Sequence, residues 1–136
     1  KHSESYSLDK LHNIFTINIL SITYSRIAEA YSKYNFNEKS YTNYLKSVEL
    51  SPNNLDFLLK TAVLEIKMFK FEQAKIRLKK VIKLNPNFDK AYYNLGLIYL
   101  NVDKDLYIAK LNFEEALKLN PDYIQAKDMI KYIESN

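Results

Sequence analysis

Three prolines, Pro52, Pro86 and Pro121, set the frame for everything else in this chain. Each follows a leucine by two residues (Leu50, Leu84, Leu119), and the spacings between them are 34 and 35 residues. A period of that size is the mark of stacked helical hairpins, units that cannot bury their apolar faces alone and gain a core by lying against their neighbours. Aligning the sequence on the prolines brings other positions into line: Tyr24, Leu58 and Tyr92; Ile27, Thr61 and Leu95; Ala28, Ala62 and Gly96; Tyr31, Glu65 and Tyr99. The second half of each unit repeats as Ser40, Ala74 and Ala109; Tyr44, Leu78 and Phe113; Ser47, Val81 and Ala116. Its last interval is 35 rather than 34, so one residue is inserted between Tyr99 and Ala109, expected in a turn around Asn101 to Asp105.

A large side chain followed at helical spacing by an apolar one, a small one and another large one forms a single stripe on an amphipathic helix. The small residue is where two backbones come close. Ala28, Ala62 and Gly96 are expected to admit the second helix of each hairpin, and Ser40, Ala74 and Ala109 are their counterparts on that second helix. Pro then ends the unit, with Asn53-Asn54, Asn87 and Asp122 expected to supply turn and capping chemistry. Composition agrees with an all-α reading. A chain of 136 residues that is 47% apolar can bury a core, and one Gly with three Pro leaves little material for tight hairpins or phosphate loops.

The pattern resembles the tetratricopeptide repeat. Its motif is nearly complete in the third unit as Tyr92, Leu95-Gly96, Tyr99, Ala109, Phe113, Ala116 and Pro121, within AYYNLGLIY and FEEALKLNP. The first unit matches through Tyr24, Ile27, Ala28, Tyr31, Ser40, Tyr44, Ser47 and Pro52. The second departs from it, with Thr61 where Leu is usual and Glu65 where an aromatic is usual, and its first helix is expected to pack less tightly. The resemblance implies a right-handed α-solenoid of three repeats, at 21–54, 55–88 and 89–123. Residues 124–136, with Ala126, Ile130 and Ile133 on one face, read as a closing helix that spares the array a bare apolar end. In residues 1–20, Leu8, Leu11, Ile14 and Phe15 fit a helix while Phe15, Ile17 and Ile19 alternate as a strand would; a helix covering the first repeat is the expectation.

Most reaction chemistry fails on supply. There is no Cys and no Gly-rich loop, and the two histidines, His2 and His12, stand ten residues apart in the leader. Adjacent carboxylates such as Glu114-Glu115 point to different faces of a helix. No catalytic residue, metal or cofactor is expected, and the chain reads as non-enzymatic. The net charge of +4 is a mild bias rather than a dense nucleic-acid footprint, and no apolar run is long enough to span a bilayer. The first residue is Lys, from which an upstream piece removed by processing or design is expected; absence of Cys is equally compatible with a cytoplasmic and a periplasmic, envelope-associated place.

What remains is a surface. The resemblance implies a concave groove, lined by the first helices of successive units, that grips a peptide or helix of a partner protein. Carried onto this chain, it takes Ile22, Ser25, Arg26, Glu29, Ser32 and Lys33 from the first unit. The second supplies Asp56, Leu59, Lys60, Val63, Ile66 and Lys67, and the third Lys90, Tyr93, Asn94, Leu97, Leu100 and Asn101. Leu59, Val63, Ile66, Tyr93, Leu97 and Leu100 would form an apolar strip framed by Arg26, Lys60, Lys67 and Lys90, suited to an amphipathic or extended segment with acidic flanks. Family members that hold the C-terminal carboxylates of chaperones carry Lys, Asn, Asn, Lys and Arg at five groove places. Here these are Ser25, Glu29, Lys60, Lys90 and Asn94, and only Lys90 agrees, so chaperone tails are not expected to bind. Two alternatives stand beside the groove. A basic run, Lys75, Arg77, Lys79, Lys80 and Lys83, could meet nucleic acid or anionic lipid, although helical spacing spreads it over more than one face. A second copy, or residues 1–20, could fill the strip, making the chain a homo-oligomer or the strip a core.

Overall fold

The structure, a computed structural model, describes residues 2–136, with side chains from residue 7 onward. Among the described residues there are seven α-helices and no strand: α1 (His2–Lys33), α2 (Asn37–Leu50), α3 (Leu55–Lys67), α4 (Phe71–Leu84), α5 (Asp89–Asn101), α6 (Leu106–Leu119) and α7 (Ile124–Glu134). This is an all-α helical-repeat solenoid. The chain divides into two compact units, residues 1–57 and 58–136.

The turns carry the repeat as faithfully as the helices. Within each hairpin the first helix ends on a left-handed residue, Asn35 (φ 62), Phe69 (φ 62) and Lys104 (φ 56). The chain then closes onto the aromatic-position carbonyl: Phe36 N–H donates to Tyr31 O at 3.0 Å, Lys70 to Glu65 at 2.7 Å and Asp105 to Tyr99 at 2.9 Å. The third closure spans one residue more than the other two, which locates the insertion in the 101–105 turn. Between hairpins the proline turns match as well. Asn54 donates to Ser51 O, Phe88 to Asn85 O and Tyr123 to Asn120 O, at 3.2, 3.2 and 3.0 Å. Asn54 caps α3 by accepting from Phe57 N–H at 3.0 Å. In the later two turns the residue before the proline, not the one after it, does the chemistry: Asn85 Oδ1 accepts from Asn87 N–H and Asn120 Oδ1 from Asp122 N–H. An Asn there can turn back onto the backbone two residues on, which Asn87 and Asp122, the expected turn formers, are too late in the bend to do.

In the first unit α1 pairs with α2. The seam between them is rich in serine. Ser21, Ser25, Ser40 and Ser47 are all buried; Ser40 Oγ donates to Ala28 O at 2.7 Å, Ser47 Oγ to Tyr44 O at 2.7 Å and Ser21 Oγ to Asn18 O at 3.0 Å, and Ser21 Oγ in turn accepts from Ser51 Oγ at 2.8 Å. A buried hydroxyl with a partner costs little, so small polar residues serve here as the close-approach positions. α1 is 32 residues long, about 48 Å, whereas α2 has 14 residues and reaches about 21 Å. Residues 2–20 therefore do not fold back over the first repeat. They continue the first helix of that repeat, because nothing in the sequence before Asn35 breaks a helix, and every described side chain from residue 7 to 20 is exposed.

In the second unit α4 packs on α5, α5 on α6 and α6 on α7. Leu100, Ala109 and Phe113 form a core cluster, against which Tyr93, Leu97 and Tyr99 of α5 and Met129, Ile130 and Ile133 of α7 also pack. Gly96 earns its place in this seam: a Cβ built on it would lie 2.6 Å from the Phe113 ring, far inside van der Waals contact. α7 buries Ala126 and lays its apolar face on the last hairpin.

Candidate functional site

The second hairpin, α3 with α4, is held by an ion pair where the repeat usually has an aromatic ring. Glu65 is wholly buried, and its Oε1 accepts from Arg77 Nε at 2.7 Å. Thr61, Ala62 and Leu64 beside it are buried too. The looser packing expected for this helix is not found, because Arg77 supplies the charge and the donor that make a carboxylate tolerable at that depth. The signal was in the sequence: a Glu on a buried repeat position, and an Arg 12 residues later on the facing helix.

This pair also dissolves much of the basic run. Arg77 points inward to Glu65, and Lys75 Nζ lies 2.6 Å from Asp103, 3.7 Å from Glu72 and 5.2 Å from the centroid of the Tyr99 ring. The hydrogen bond to Asp103, more than any other contact, raises the Lys75 ammonium above its ordinary value. Lys79, Lys80 and Lys83 remain exposed, around a shallow depression floored by Ile76 and Leu84.

The residues expected to line a groove differ in burial. Leu59 (8% exposed) and Leu100 (6%) are packed into the protein, so the apolar strip expected on the surface is shorter by two leucines at these positions. Tyr93 and Leu97 are half-buried and lean on the cluster of Leu100, Ala109 and Phe113 that α7 also covers. The Tyr93 ring stacks on Tyr123 with centroids 5.0 Å apart. Burial raises the Tyr93 phenol, with the Asp128 carboxylate adding to the shift. Tyr123 is pushed further, to about 12, by burial first and then by the charge of Asp89 and the Tyr93 ring. Val63 (45%), Lys67 and Lys90 stand exposed, and Lys60, Ile66 and Asn94 are half-buried. Asn94 Nδ2 donates to Lys90 O one turn back on its own helix. Arg26 is exposed on α1, in the first unit, while the others belong to the second.

Groups for chemistry are sparse. Among the described residues no three His, Asp or Glu side chains come together as a metal site, and no helix is long and apolar enough to cross a membrane. His12 is exposed on α1, and the His2 side chain lies outside the described ones.

Comparison with known proteins agrees with this geometry. Family models described as "TPR repeat" and "Tetratricopeptide repeat" match residues 70–103 and 89–123. Residues 70–123 are tetratricopeptide repeats. Among solved structures, the Arabidopsis OM64 TPR domain superposes with a TM-score of 0.80 at 22% identity, covering 85% of this chain and 95% of that one. The first TPR of Spaghetti (RPAP3), bound to an HSP90 peptide, gives 0.79 at 22% identity over 85% and 91% of the two chains. The second TPR domain of human RPAP3, in complex with an HSP70 peptide, gives 0.78 at 23% identity over 87% and 98%. At these identities the likeness speaks for the fold. No curated protein matches the chain significantly by sequence.

Proposed function

We propose that this TPR chain is a non-enzymatic protein–protein interaction module, a scaffold or assembly factor that binds a segment of a partner protein on the groove face of α3 and α5. The observation that supports it is Val63, an aliphatic side chain left 45% exposed on α3 with Lys60 and Lys67 a turn to either side. Ile66 and Leu97 extend the apolar surface, and Lys90 and Asn94 add a cation and an amide at the start of α5. Such a face suits a short amphipathic or extended peptide with one or two aliphatic anchors and acidic flanks. Two of the solved relatives hold chaperone peptides, so a peptide ligand is in keeping with the fold.

A chaperone tail is not the ligand we propose. Of the five clamp places only Lys90 carries the expected residue; Ser25 is buried in the α1–α2 seam, and exposed Glu29 would repel a terminal carboxylate. Selection from a random peptide library followed by calorimetry tests the reading. Selected peptides are expected to carry aliphatic anchors flanked by Asp or Glu. Val63→Glu should weaken them by about 2 kcal/mol, roughly thirtyfold, while Lys79→Glu on the α4 surface leaves them unchanged. Unaltered affinity in the Val63 variant removes α3 from the site.

A further inference from the structure

The free half of α1 carries its own pattern. Leu8, Leu11, Phe15, Ile19 and Ile22 are between 45% and 67% exposed. At about 100° per residue these five fall within one stripe roughly 80° wide, while Ile14, Ile17 and Leu20, also exposed, lie outside it. That stripe runs beside Ser21, Ser25 and Ala28, the face on which α1 meets α2, without including them. Its side chains are left largely open to solvent, and an isolated helical stub of this length is only marginally stable in water.

The spacing along the stripe is 3, 4, 4 and 3 residues, the same read in either direction and centred on Phe15. A two-fold contact between identical chains requires that symmetry, since residue i must meet residue j while j meets i. Laid antiparallel on a second copy with Phe15 on the axis, the stripe sets Leu8 against Ile22, Leu11 against Ile19 and Phe15 against itself, with His12 and Asn18 flanking as a polar pair. The five side chains offer on the order of 400 Å² of apolar surface per copy. Over two copies that is about 800 Å² before the flanking polar side chains are counted, the small end of interfaces, where association is weak and concentration-dependent.

We propose that the N-terminal half of α1 is a homodimerisation helix, pairing antiparallel with its counterpart in a second copy about Phe15. Sedimentation equilibrium on the full chain, over a series from nanomolar to several hundred micromolar, should show a monomer–dimer equilibrium. Phe15→Glu sets two carboxylates face to face on the axis and should hold the chain monomeric throughout the series, and Phe15→Lys should do the same. An equimolar mixture of the two variants should regain the dimer, which only a pairing of position 15 with itself predicts. Far-UV circular dichroism of each variant checks that α1 remains helical. A wild-type chain monomeric at every concentration, a dimer insensitive to Phe15→Glu, or a mixture that fails to re-associate would each overturn the proposal.

Discussion

The second and third hairpins are built on one repeat and held by different forces. In the third, α5 and α6 meet through Gly96 and the Phe113 ring, with Tyr99 packed against the same cluster and α7 closing it. In the second, those places hold Ala62, Leu78 and Glu65, and the depth that an aromatic ring fills elsewhere is taken by a carboxylate joined to Arg77. The same backbone thus accepts a dispersion-packed seam or an ion-paired one. The two should fail differently: an apolar seam loses stability in proportion to lost contact, whereas a buried charge pair loses most of its worth when either partner goes.

Removing one partner is the harshest test. Arg77→Ala should cost about 3 to 5 kcal/mol in urea unfolding, because the buried Glu65 carboxylate loses the guanidinium that faces it. The third hairpin should respond next. Gly96→Ala gains helix propensity yet drives a methyl into the Phe113 ring, and a net loss of about 1 to 3 kcal/mol is expected in the same assay. Adding Phe113→Leu to that variant recreates the Ala–Leu combination of the second hairpin and should recover part of the loss.

Alkali should distinguish the two regions without mutation. The folded Tyr123 phenol ionises near 12 and an ordinary one near 10.0, so its contribution is intact below pH 10 and fades as pH rises towards 12. The matching position ahead of α5 is Phe88, which does not titrate. Hydrogen exchange above pH 10 should show α7 and α6 loosening before α3 and α4. The smallest effect belongs to a turn. Phe69 occupies the left-handed position that Asn35 fills in the first hairpin, is 80% exposed and meets the Phe71 ring edge to face. Phe69→Asn should raise the melting temperature, by a gain of about 0.5 to 1 kcal/mol.

The repeat period made the helices, their turns and the inserted residue legible in advance, because each rests on local spacing and on the missing N–H of proline. The small residues at positions 28, 62 and 96 were readable for the same reason. What escaped depended on partners across space. Arg77 looked like one cation of a basic run until its helix was seen to turn it towards Glu65. Leu59 and Leu100 sit on the groove face by helical arithmetic, yet that arithmetic does not say how far a neighbouring element extends over the face, and both are buried. Apolar residues at 8–20 suggest a cover over the first repeat, yet no Gly or Pro marks an end before Asn35, and that absence of a stop is the clue to one long α1.

The lengthened bend at 101–105 has a practical use. Asp105 still anchors the following helix, accepting from Ile108 N–H at 3.0 Å, although the chain takes an additional step to reach it. Spare length is absorbed outside the cylinders, and the angular phase of every later side chain is preserved. Peptide tags or dye-bearing segments grafted between Asp103 and Lys104 would hang from the array like a label on a hinge pin, reporting on the assembly while leaving its internal bookkeeping of faces untouched.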